Sequence, residues 1–123
     1  AGVPALFLRR WERYFALRRV IFKSSRKIDM LFAVHCIDKP EAVGVRAANR
    51  DAHLAFLAEL GDRIVAAGPF LSDDGASMTG SLLIIECEDK AAAEALAAAD
   101  PYAKAGLFAR VDIRPWRKVL PKA

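Results

Sequence analysis

The chain has 123 residues, 54% of them hydrophobic and 9% aromatic, and a formal net charge of +4. That is enough for one globular core and too apolar for intrinsic disorder; apolar runs such as 81–85 are far too short to span a bilayer. Residues 1–29 hold eight basic and two acidic side chains, which leaves eleven basic and thirteen acidic for residues 30–123. The body of the chain therefore has no electrostatic footprint for nucleic acid.

The first segment is unlike the rest. Aromatics and arginines mix in Phe7-Leu8-Arg9-Arg10-Trp11-Glu12-Arg13-Tyr14-Phe15, and Lys23-Ser24-Ser25-Arg26-Lys27 reads as a loop or linker. Residues 5–22 fit a basic amphipathic helix that would lie on an anionic membrane or dock on the domain. The Arg-rich, acid-poor start also resembles an organelle transit peptide. Charges interrupt each candidate apolar core, so it is not a secretory signal. Alternatively Met30 is the natural start and the upstream residues are an extension with no evolved role. We treat 1–29 as an N-terminal basic helical extension and 30–123 as the domain.

From Met30 the pattern is regular. Residues 30–37 are apolar nearly throughout and stop at Asp38-Lys39-Pro40, a central strand and a turn. Residues 45–60 read as a helix with an Ala47, Ala48, Leu54, Leu57, Leu60 stripe and Gly61 as C-cap. Arg63 to Ala67 is a short strand closed by Gly68-Pro69, and residues 72–77 form a hairpin loop. Thr79 to Glu86 is a strongly apolar strand. Glu88 or Asp89 starts a second, alanine-rich helix that Asp100-Pro101 ends. Leu107 to Pro115 closes the domain as a strand, with Val111, Ile113 and Ala109 on one face.

The order β-α-β-β-α-β is the split βαβ arrangement of a ferredoxin-like α+β domain, two helices on one face of a four-stranded antiparallel sheet. The strands carry apolar side chains on both faces, among them Phe32, Val34, Leu82, Ile84 and Ile85, so the second face needs a cover. A second copy stacking its own sheet there predicts a closed homodimer of the dimeric α+β barrel type; the N-terminal segment is the other candidate cover. Cys36 and Cys87 sit in apolar runs without C-x-x-C or His-rich spacing and read as buried free thiols of a reducing, cytoplasmic compartment. No GxGxxG, P-loop, HExxH or Cys/His cluster is present, so no cofactor and no metal is implied.

A set of short motifs resembles the YCII-related proteins. They are Asp38-Lys39-Pro40, Arg50-x-x-His53-Leu54, Gly68-Pro69, Thr79-Gly80-Ser81, Asp100-Pro101-Tyr102 and Pro115-Trp116, in order across residues 30–119. Nothing in that pattern corresponds to residues 1–29. The resemblance implies a dimeric ferredoxin-like fold with a cleft near the dimer interface, and a candidate catalytic His–Asp pair with the Gly-Ser pair nearby. Most members lack an assigned reaction; one branch looks like a lyase-type activity on chlorinated hydroxyquinones.

The residues themselves point partly the same way. Arg46, Arg50 and His53 lie at i, i+4 and i+7 and share a helix face, where the arginines suit a carboxylate or phenolate. His53 suits a general base at neutral pH, Asp100 its orienter, and Ser81 or the backbone at Gly80 an oxyanion donor. Tyr102 offers a phenol to the pocket or simply packs. The competing reading makes His53 a semi-exposed helix residue, the arginines a solvated face and Asp100 a turn cap. His35 reads as a core or interface histidine, Asp73 and Asp74 as solvated loop acids, Trp116 as core or interface. Two functions survive: a cofactor-free lyase, isomerase or dehalogenase-like enzyme acting by His–Asp-assisted proton transfer on a small anionic substrate, aromatic ones included, or a non-catalytic dimeric binding or accessory module.

Overall fold

A computed structural model of the protein describes residues 30–122. The basic extension and its expected helix lie outside the described residues. The elements run β1 (Met30–Asp38), α1 (Val43–Leu60), β2 (Ile64–Leu71), β3 (Met78–Cys87), α2 (Lys90–Ala99), α3 (Pro101–Lys104) and β4 (Phe108–Trp116), with a 3-10 turn at Gly61–Arg63 between α1 and β2. The four strands form one antiparallel sheet in the order β2-β3-β1-β4. This is the expected ferredoxin-like α+β architecture. No helix among the described residues is long and apolar enough to cross a membrane.

Strand alternation sorts the side chains. Phe32, Val34 and Cys36 of β1 pair in register with Ile85, Leu83 and Ser81 of β3. With Cys87 the apolar members of this set meet Phe56 and Leu60 of α1 and Ala93 and Leu96 of α2 in one core. The two cysteines are free and buried, and the register sets them at opposite ends of the sheet, Cys36 across from Ser81 and Cys87 across from Met30. The other face carries Ala33, His35 and Ile37 of β1 with Leu82 and Ile84 of β3. The Phe70 ring lies 4.9 Å from that of His35. Ile37, Phe70 and, opposite Leu31, Trp116 are exposed in the single chain.

Two boundaries differ from the sequence reading by two residues or more. β2 does not stop at Ala67 but continues through Gly68-Pro69 to Leu71. It is an edge strand with Pro69 opposite Ser81, and an edge tolerates the missing N–H that would break a central strand. α1 begins two residues earlier than predicted, at Val43, and ends at Gly61, whose φ of 53° is ordinary for glycine alone. Asp89 caps α2, its carboxylate accepting from the Ala92 N–H at 2.8 Å.

Candidate functional site

The site forms where the end of β1, the first half of α1 and the α2–α3 junction meet. Asp38, the last residue of β1, sits where the register with β4 slips. Its carboxylate receives Arg46 from the first turn of α1 as a fork, Nε donating to Oδ2 at 2.8 Å and Nη2 to Oδ1 at 2.9 Å. Both side chains are 7% exposed. Nη2 also donates to Ser81 Oγ on β3 at 3.0 Å, and the guanidinium carbon lies 4.7 Å above the centre of the Tyr102 ring. Burial opposes the Arg46 charge, but the Asp38 carboxylate more than offsets it, and the guanidinium pKa ends above its ordinary value. Burial likewise pushes the Tyr102 phenol up, against the pull of Arg46 and Arg50.

His53, one α1 turn beyond Arg50, faces the same way. Its Nδ1 lies 2.9 Å from Asp100 Oδ1, and that oxygen also accepts the Tyr102 backbone N–H at 2.9 Å, capping α3. Asp100 is 2% and His53 7% exposed. An oxygen that accepts a backbone N–H as well is an acceptor towards the ring, so Nδ1 carries the proton and donates. In the neutral imidazole Nε2 then keeps its lone pair, and it has no partner among the described residues. Tyr102 stacks on the imidazole, ring centres 4.0 Å apart and 15° from parallel.

These groups line a half-open cavity of about 160 Å³. Arg46, Arg50, His53, Ser81 and Tyr102 supply its polar side, and Leu54, Leu57, Leu83, Pro69 and Met78 its apolar walls. Of the site residues read from the sequence, five thus line one cavity and Asp100 sits directly behind the His53 ring. The reading of His53 as semi-exposed is excluded by its burial. Gly80 is not among the lining residues. Its position is steric, because a Cβ there would collide with the Cys36 carbonyl oxygen of β1.

The sequence reading makes Asp38 only part of a turn. The available signal was an acid ending a strand eight residues before an arginine that opens a helix. Of the other residues read from the sequence, His35 lies on the opposite sheet face. Asp74 bonds within its own loop, to the Ser72 hydroxyl at 2.6 Å and the Ala76 N–H at 3.0 Å. Beside the site, burial and the nearby Asp100 and Asp38 carboxylates push the Cys36 thiol up to about 12, so it stays protonated and is no nucleophile. Among the described residues no group of three or more His, Cys, Asp or Glu side chains is placed to hold a metal ion.

Residues 30–117 match the model of the YCII-related domain. The chain belongs to the YCII-related family. It is 40% identical over 97 residues to Protein YciI of Escherichia coli O6:H1, covering 73% of this chain and 99% of the relative. An uncharacterised Haemophilus influenzae protein is 37% identical over the same share of each chain. Among solved structures, this YCII-related chain is similar to the 5-chloro-2-hydroxyhydroquinone dehydrochlorinase TftG of Burkholderia phenoliruptrix AC1100, in complex with 2,5-dihydroxybenzoquinone. The identity is 39% and the TM-score 0.67, over 72% of this chain and 94% of that one. A Bacteroides thetaiotaomicron protein named for antibiotic biosynthesis monooxygenases aligns with TM-score 0.50 at 13% identity, over 78% and 94%. At that identity it shows the fold alone.

Proposed function

We propose that the chain is a small enzyme that works without a cofactor and moves a proton on a small, anionic, single-ring substrate, in a reaction of the lyase, isomerase or dehalogenase kind. The observation that carries this reading is the 2.9 Å bond from His53 to the buried Asp100, with His53 on the cavity wall. It leaves Nε2 as the base, while Asp100 fixes the tautomer and stabilises the imidazolium that forms. Arg46 and Arg50 place positive charge beside the ligand. The cavity of about 160 Å³ suits one six-membered ring, since an apolar cavity of about 150 Å³ accommodates benzene. The ring ligand held by the 39% identical dehydrochlorinase supports the same class.

In the step envisaged, the ring is in a keto tautomer whose leaving group sits on a saturated carbon, and Nε2 takes a proton from an acidic O–H or C–H of it. The electron pair left behind moves through the ring and expels a leaving group on another carbon as an anion. His53 then passes its proton to water, so the net change is loss of one acid molecule. We further propose a homodimer through the open sheet face, and a cytoplasmic location, which two buried free thiols fit.

Chloride release from 5-chloro-2-hydroxyhydroquinone by wild type and by His53→Gln tests the reaction. The expected result is a loss of at least about 100-fold with an unchanged melting curve. Equal rates would remove His53 as the base, and no turnover of any chlorinated hydroquinone by wild type would make the cavity a binding module.

A further inference from the structure

Ser81 presents a buried hydroxyl on the cavity wall, at 3% exposure. Its Oγ accepts from Arg46 Nη2 at 3.0 Å. A hydroxyl has one proton and two lone pairs, whereas a guanidinium has only donors. Arg46 therefore occupies a lone pair of Ser81 and leaves its proton unspent, and no described residue accepts it. A buried donor without an acceptor is costly. Ser81 borders the cavity, so the acceptor that relieves this cost belongs to whatever fills it.

Arg46 holds this arrangement only because it is itself held. Asp38 takes Nε and one Nη2 hydrogen in a fork, and the planar guanidinium then aims the second Nη2 hydrogen at Ser81. A lysine ammonium is a point charge that does not reproduce this three-point geometry.

We propose that the Asp38–Arg46 pair sets Ser81 as a dedicated hydrogen-bond donor to an anionic oxygen of the bound ring, with Asp38 a positioning residue that acts through Arg46. The inference rests on the single-ring oxyanion reading of the cavity but not on turnover. It predicts that Asp38, which does not line the cavity, controls ligand affinity.

The test is titration of the full chain with 2,5-dihydroxybenzoquinone, followed calorimetrically and by the ligand's visible absorption. Ser81→Ala should weaken binding about tenfold, the equivalent of one hydrogen bond to a charged group. It should also return the bound ligand's absorption band towards that of the free ligand. Arg46→Lys keeps the charge and should weaken binding to a similar degree. The double variant should fall within about twofold of Ser81→Ala, because Arg46 acts through the serine. Asp38→Asn, if its melting curve shows a folded protein, should match Ser81→Ala in affinity and band position; if it does not fold, the Arg46→Lys cycle carries the test.

Wild-type affinity in Ser81→Ala, or losses that multiply in the double variant, would overturn the relay while leaving the ring-ligand reading intact. Absence of binding by wild type at millimolar ligand would overturn both. Neither result depends on chloride release, so failure of the reaction is read separately.

Discussion

Asp100 uses one oxygen for two purposes, and the two separate by substitution. Oδ1 accepts the His53 Nδ1–H and the Tyr102 N–H, each at 2.9 Å. Asp100→Ala removes the α3 cap, a loss of about 1 kcal/mol. It also strands a buried ring N–H, at about 1–3 kcal/mol, so the sum is about 2–4 kcal/mol. That is a large part of the 5–15 kcal/mol typical of a domain. Asp100→Asn should cost only about 1 kcal/mol, the difference between charged and neutral acceptors. The Tyr102 N–H holds the amide oxygen in place, so the ring still finds an acceptor and the tautomer is unchanged. Asp100→Ser restores the cap but is too short to reach His53, and should recover about 1 kcal/mol of the alanine loss. Urea unfolding reads these differences, and the imidazole nitrogen shifts read the tautomer. Turnover of Asp100→Asn should fall about 10- to 100-fold, less than when a tautomer is inverted. An Nε2–H tautomer in wild type, or equal losses of stability for alanine and asparagine, would refute the reasoning.

Three further outcomes follow from the same geometry. Gly80→Ala drives a Cβ into the Cys36 carbonyl oxygen; strand backbone does not yield easily, so urea unfolding should show a loss of about 3 kcal/mol, and a wild-type midpoint would contradict the packing. The Cys36 thiol, raised from 9.0 to about 12 in the folded chain, contributes stability that is complete below pH 9 and lost between about pH 9 and 12, because the unfolded thiol ionises first. Unfolding midpoints of Cys36→Ala should therefore fall less steeply than wild type across that window, and parallel slopes would count against the buried thiol. The open sheet face predicts a dimer in sedimentation at micromolar concentration, with Phe70→Glu shifting the chain to monomer; a monomeric wild type would assign the face to some other cover.

The sequence carried the fold because its signals were local and redundant. Alternation in residues 30–37, alanine periodicity in 91–99 and the turn residues Asp38-Lys39-Pro40 each depend on neighbours in the chain. The sequence reading ends β2 at Gly68-Pro69 because those residues usually end a strand, and only the sheet order reveals that β2 is an edge. Arg46, Arg50 and His53 were legible from helical spacing, but their meeting with Asp100 needs contacts across 47 residues, supplied by the α2–α3 junction. Asp38 stayed hidden for a different reason. A turn acid looks solvated until the start of α1 folds back and Arg46 buries it. The family motifs placed the right residues side by side without stating which bond each would make.

The balance of buried charge says why such a cluster is there at all. A small domain gains little from a buried ion pair: taking both ions out of water offsets most of their attraction, and well-packed apolar side chains do as well or better. This domain nonetheless sets Asp38 with Arg46 and Asp100 with His53 around one cavity, all four nearly inaccessible. Each pair leaves a group of a cavity-lining residue without a partner among the described residues, the Ser81 proton in one case and His53 Nε2 in the other. One is a donor and the other an acceptor of protons. Packing alone gives no reason for opposite hydrogen-bonding capacities to border one mostly apolar space. A ring ligand that presents an anionic oxygen to Ser81 and a removable proton to His53 does.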